Sequence, residues 1–145
     1  MFLGTYSIAL NEESRFLPPA RFVKELSSGF YIAQGFDRNL WVLTPSAFES
    51  IYQKISSLNL ADPLARMLLR MILGTAHEVQ INQDGTISIP KELKEITKIE
   101  QLVLIIGQGD YFEIWDPASW AKQEAQLKDA ISNSNRFSSL SIATR

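Results

Sequence analysis

Any chemistry in this chain has to be done without cysteine and with one histidine, His77. Thiolate nucleophiles, thiolate metal sites and disulfide frameworks are therefore excluded, and no second imidazole accompanies His77 to bind a metal. Glu12-Glu13 is an adjacent carboxylate pair, but neighbours on a turn diverge and do not face one substrate at glycosidase separation. Asp110 and Glu113 bracket a strand, and Asp84 falls in a turn. No glycine-rich loop follows a strand and opens a helix, so nucleotide binding by that route has no support. These residues point away from an enzyme, a metal site and a cofactor.

The cations leave binding as the remaining chemistry. Arg21, Lys24, Lys91 and Lys94 flank two short helical turns, where they either touch backbone phosphates or form the solvated face of those turns. Arg66 and Arg70 are four apart and share a helix face, as an anion site, a subunit contact or a structural ion pair. Trp41, Trp115 and Trp120 sit beside helix caps and apolar strands, where core or subunit packing outweighs base stacking. Net charge is −2 and the pI about 5.4, without the basic stripe of a dedicated nucleic-acid binder. A polyanion site must come from local placement of a few cations, or from their repetition in an oligomer.

The elements that position these residues occur twice. Leu3-Gly4-Thr5 returns as Leu73-Gly74-Thr75, and Ile8-Ala9-Leu10-Asn11 as Val79-Gln80-Ile81-Asn82. Pro19 and Phe22 then match Pro90 and Leu93. Gly35, Leu40, Pro45 and Phe48 match Gly107, Phe112, Pro117 and Trp120. Two diverged copies of a unit of about 70 residues explain the chain better than one irregular domain.

Each copy reads as an alternating strand, polar loop, short strand, proline-led helical turn, hairpin and capped helix. Tyr6, Ile8 and Leu10 alternate with Ser7 and Ala9, as a half-buried strand does. Val79 and Ile81, then Ile87 and Ile89, repeat the pattern. Asn11-Glu12-Glu13-Ser14 and Asn82-Gln83-Asp84-Gly85 supply turn chemistry. Pro19 and Pro90 suit the first turn of short helices. Thr44-Pro45, Asp62-Pro63 and Asp116-Pro117 read as a cap followed by a first-turn proline.

Phe48, Ile51, Tyr52 and Ile55 fall on one helical face, and Trp120, Glu124, Leu127 and Ile131 follow less cleanly. The expected organisation is a first unit over 1–60, a linker helix over 61–73, a second unit over 74–131 and a Ser/Asn-rich tail over 132–145 of unassigned order. Units this small cannot bury both faces alone, so the halves should intertwine and the chain should oligomerise. No apolar run spans a bilayer and no signal peptide is recognisable, which gives a cytoplasmic expectation.

In order and spacing these features resemble the MraZ family of bacterial proteins, built from two tandem swapped-hairpin units of the AbrB/SpoVT type. The resemblance runs from Met1 to about Leu127. It rests on Phe2-Leu3-Gly4, Leu10-Asn11, Pro19, the linker Leu69-Arg70-Met71-Ile72-Leu73-Gly74-Thr75-Ala76, and Phe112-Glu113-Ile114-Trp115-Asp116. It implies a β-rich α+β fold with both units in one compact protomer. It also implies a sequence-specific DNA-binding transcriptional regulator, cytoplasmic and nucleoid-associated, without cofactor, metal or membrane partner. Members form homo-oligomeric rings on short G-rich promoter repeats upstream of a cell-division and cell-wall gene cluster.

The family's signature is an Asp-x-x-x-Arg loop at each hairpin tip. Here the loops are Asn11 to Arg15 and Asn82 to Thr86, so both aspartates are asparagine and the second arginine is threonine. By that resemblance the double-stranded DNA contacts are Arg15, Asn11, Ser14, Asn82 and Thr86; Arg21 and Lys91, beside the short helices, are added as candidate phosphate contacts. Arg15 is either a DNA contact or an ordinary solvated loop residue. Three cations meet three acids over residues 1–26, and Glu12-Glu13 would repel the backbone. The rival expectation is therefore an interaction ring, or regulatory partner, that has lost DNA binding.

Overall fold

The structure is a computed structural model and describes residues 1–142. The first half contains β1 (Thr5–Ala9), β2 (Arg15–Phe16), a 3₁₀ turn (Ala20–Phe22), α1 (Val23–Leu26), β3 (Phe30–Gln34), β4 (Leu40–Leu43) and α2 (Pro45–Ser56). Helix α3 (Pro63–Thr75) leads into the second half: β5 (His77–Val79), β6 (Ile87–Ser88), α4 (Lys91–Thr97), β7 (Leu102–Gly107), β8 (Tyr111–Trp115) and α5 (Pro117–Leu127). Helix α6 (Ala130–Ser138) follows.

The fold is α+β, with a six-stranded antiparallel sheet in the order β1-β7-β8-β4-β3-β5 and a two-stranded ribbon of β2 with β6. The strand pairing intertwines the halves. β1 leaves its own half to pair with β7, placing Tyr6 opposite Ile105 and Ile8 opposite Val103. β5 makes the reciprocal move onto β3, with Val79 opposite Phe30. β4 and β8 meet at the centre of the sheet, and β2 meets β6 with Arg15 opposite Ser88.

Packing follows from the sheet having two covered faces. On one face Phe2, Phe22 and Phe112 lie fully buried with ring centroids 4.9–5.2 Å apart. Phe16, Ile87 and Leu93 join the same core from the ribbon and α4. On the other face Trp41 and Leu43 pack with Ile55 of α2 and Ile72 of α3, and Tyr31 stacks on Phe48 at 4.1 Å. Leu40-Trp41-Val42-Leu43 shows no alternation because both faces of β4 are covered. Trp41 and Trp115 are buried within the fold. Gly35 and Gly107 hold matching places where a side chain has no room: a Cβ would come within 2.4 Å of Asn39 Oδ1 and 2.5 Å of the Phe2 carbonyl, respectively.

Several local expectations change. Thr44, Asp62 and Asp116 do cap their helices, accepting from Ala47, Leu64 and Ser119 backbone N–H groups. Pro19 and Pro90, however, occupy the cap position itself with extended ψ, one residue before the helical turn. Tyr52 is 43% exposed, because α2 packs through Ala47, Phe48, Ile51 and Ile55. The face drawn through Trp120, Glu124, Leu127 and Ile131 does not hold together, since α5 ends at Leu127, which is exposed. The side chain of Ile131 lies outside the described residues. Part of the Ser/Asn-rich tail is helical in α6, anchored by buried Asn133, which donates to the Gln126 and Leu127 carbonyls that end α5; positions 143–145 lie outside the described residues. No helix is long and apolar enough to cross a membrane among the described residues.

Candidate nucleic-acid interface

The two polar loops have the same backbone architecture. Asn11 N–H donates to the Arg15 carbonyl at 2.9 Å, and Ser14 N–H to the Asn11 carbonyl at 3.0 Å. Asn82 N–H donates to the Thr86 carbonyl at 2.9 Å, and Gly85 N–H to the Asn82 carbonyl at 2.9 Å. Both turns close through a left-handed residue, Ser14 at φ 61° and Gly85 at φ 85°. Antiparallel pairing of β2 with β6 then ties the strands that leave the two loops.

Within this common frame the side chains differ. Asn11 Oδ1 accepts from the Glu13 and Arg15 backbone N–H groups at 2.9 and 3.0 Å. That is an Asx-type closure, and it does what a loop-leading aspartate would do without the charge. In the second loop the closing acceptor is Asp84, two residues later. Its Oδ1 accepts from Thr86 N–H at 3.1 Å and from the Thr86 hydroxyl at 2.6 Å. Asn82 Nδ2 donates to Thr86 Oγ1 and to Ser88 Oγ at 3.0 and 2.9 Å.

Arg15 stands where the loops meet. Its side chain is about one-third exposed, with Nη2 3.5 Å from Glu13 Oε2 and Nη1 4.0 Å from Asp84 Oδ2. The Thr86 hydrogen bonds chiefly, and the nearby Arg15 charge in addition, hold the Asp84 carboxyl below its usual range. From the second half, Lys94 Nζ donates to Ser14 Oγ at 2.8 Å, and Ile89 N–H donates to the Ser14 carbonyl at 3.0 Å. An open groove of about 770 Å³ lies between the first loop and α4, floored by Ile89 and Ile99 and lined by Lys91, Lys94, Glu12 and Glu13 among others.

The structure therefore brings Asn11, Ser14, Arg15, Asn82 and Thr86 to one tip. Thr86 is only 8% exposed, its hydroxyl engaged inward. Lys91 is exposed at the start of α4 and lines the groove, and Arg21 is exposed on the 3₁₀ turn. In sequence Asp84 reads only as a turn carboxylate. The repeat offset aligns it with Glu13, but only the pairing of β2 with β6 brings it within reach of Arg15.

Three other chemistry-bearing residues, Glu113, Arg66 and His77, have structural partners. Glu113 accepts from Asn39 Nδ2 at 2.9 Å and from Trp115 Nε1 at 3.0 Å. Arg66 donates to the Leu60 and Ala61 carbonyls just before its own helix. His77 Nε2 lies 3.7 Å from Glu92, and no cluster of three metal-ligating side chains occurs among the described residues.

The profile of the family described as "MraZ protein, putative antitoxin-like" matches the chain twice, over residues 1–71 and 72–140. The chain belongs to the MraZ family. Among its MraZ relatives, a protein of Micrococcus luteus is 34% identical over 133 residues, covering 89% of this chain and 93% of the relative. One of Thermomicrobium roseum is 33% identical over 127 residues, covering 88% and 89%. One of Mesoplasma florum is 36% identical over 132 residues, covering 90% of each. All three are named "Transcriptional regulator MraZ". Membership places the chain among transcriptional regulators rather than enzymes, and the two MraZ matches correspond to the repeat seen in the sequence and intertwined in the sheet.

Proposed function

We propose that this MraZ protein regulates transcription by sequence-specific binding of double-stranded DNA through the paired loop tips. The observation that carries the reading is the convergence of two equivalent loops, one from each repeat, on a single partly exposed arginine. A two-stranded tip of this kind has the dimensions to enter a major groove, where sequence is read from base edges. In this reading Arg15 makes the base contact, and Asn11 and Ser14 hold its loop in shape. Asn82 and Thr86 shape the second loop and contribute little charge, while Arg21 and Lys91 meet backbone phosphates beside the tip.

One arginine per protomer is a weak site. A homo-oligomeric ring presents several tips to successive short direct repeats, and linked sites act at high effective concentration. Exposed Leu64 and Met67, three apart on α3, are apolar surface of the kind such assembly covers. The expected target is the promoter region of a cell-division and cell-wall gene cluster, and the expected location is the cytoplasm, in association with the nucleoid. Replacing Arg15 with Ala tests the reading: duplex binding should be abolished while the oligomer's size in solution is unchanged. Undiminished binding by the variant would overturn it, and an assembly indifferent to DNA would favour a ring that works through protein contacts.

A further inference from the structure

Arg15 is attended by an acid on each side, and the two acids are held differently. Glu13 is on its own loop, and its side chain is 70% exposed. Asp84 belongs to the other repeat, and its Oδ1 is fixed by two hydrogen bonds from Thr86, which leaves Oδ2 as the atom facing Arg15 Nη1. Thr86 is fixed in turn by Asn82, Asn82 also binds Ser88, and Ser88 is the β-partner of Arg15. A closed relay through the second loop thus aims one carboxylate oxygen at the tip's arginine, Arg15.

Separations of 3.5 and 4.0 Å are too long for direct hydrogen bonds. The guanidinium is attracted by both carboxylates, yet its donors stay available for exchange. With both acids ionised the cluster carries a net charge of −1, from one cation and two anions. A phosphate oxygen approaching Arg15 meets that negative field at short range, where opposing charge is felt most. A base edge is neutral, offers acceptors of the same geometry, and meets far less repulsion.

We infer that Asp84 is a specificity-determining residue: it biases Arg15 away from phosphate and towards neutral base-edge acceptors, so that the second loop filters what the first loop reads. This rests on the DNA-binding reading above and gives the second repeat a task that its lost arginine does not explain. Selection by repulsion of the wrong partner is a general route to specificity, and it lowers non-specific affinity more than specific affinity.

The test compares the full-length protein with Asp84→Asn, Asp84→Glu and Glu13→Gln variants. The probes are a duplex from the region upstream of the protein's own gene and a scrambled duplex of the same length, each at two salt concentrations. Asn can keep the acceptor that Thr86 uses, and Glu13 is exposed, so at least one charge-removing variant will fold. Asp84→Asn should tighten scrambled-duplex binding by roughly fivefold for each tip engaged, the upper end for an exposed pair. It should tighten upstream-duplex binding less, so the ratio of the two affinities falls and the salt dependence steepens. Glu13→Gln should move the ratio the same way by less, and Asp84→Glu should keep it near wild type. An unchanged ratio in Asp84→Asn, or equal weakening on both duplexes, would overturn the proposal while leaving DNA binding in place. A wild-type protein that prefers neither duplex would instead overturn the DNA-binding reading, and the filter with it.

Discussion

Lys94, on α4 of the second half, donates its ammonium to the Ser14 hydroxyl at 2.8 Å, eighty residues away in the chain. The loop that carries Arg15 is therefore shaped by the opposite repeat as well as by its own asparagine. Lys94→Met keeps the aliphatic stem and removes the donor. It should leave global stability within about 1 kcal/mol, the worth of one ordinary hydrogen bond, and weaken duplex binding severalfold. Thermal melting and fluorescence anisotropy on the same variant separate the two effects.

The equivalence of Ser14 and Gly85 predicts unequal responses to substitution. Gly85→Ala places a Cβ on a left-handed residue and should cost roughly 1 kcal/mol. Ser14→Gly relieves the same strain but loses the acceptor for Lys94, so its stability should stay near wild type. Denaturant midpoints of the two variants check this. A Gly85→Ala midpoint at or above wild type would contradict the shared backbone geometry.

Glu113 carries the clearest pH dependence. Burial pushes its carboxyl above the usual range and nearby Asp37 adds to this, while hydrogen bonds from Trp115, Asn39 and Trp41 work against it. Its pKa is therefore higher in the folded chain than in the unfolded chain, where about 4.3 is ordinary. Between those two values the folded state binds more protons, so stability falls as pH rises through the window; below it there is no penalty. Glu113→Gln should flatten that decline. Melting temperature followed upwards from about pH 4 will show a shallower slope for the variant, and identical slopes would assign the dependence elsewhere.

The exchange of β1 and β5 between halves predicts that neither half folds alone. Fragments 1–60 and 61–145 should each lack cooperative melting and should recover it when mixed, because β1·β7, β3·β5 and β4·β8 all cross the cut. A fragment that melts cooperatively by itself would contradict the intertwined sheet.

The repeat, the capped helices and the paired loops were legible because they depend on local residue types at a fixed offset. Pairing was less so. Alternation in Tyr6, Ile8 and Leu10 states which face is buried and not which strand lies alongside; the small size of each unit predicts that the halves intertwine, but not the partners β7 and β3. Leu40 to Leu43 hid its strand neighbours behind uniform burial. Helix α6 escaped because its Ser and Asn residues are modest helix formers, and buried Asn133 secures it through contacts to α5. At the tip, Arg15 and the two asparagines could be named from the motif. The role of Asp84 could not, because its distance to Arg15 exists only once β2 and β6 have paired.

The most direct measurement is fluorescence anisotropy of the wild-type protein with a duplex from upstream of its own gene, beside a scrambled duplex, at low and near-physiological salt. The account predicts tighter binding to the upstream duplex at both salts and a steep loss of affinity as salt rises, because the gain from releasing counterions at each phosphate contact shrinks. Equal affinity for the two duplexes, or no binding even at low salt, would contradict it.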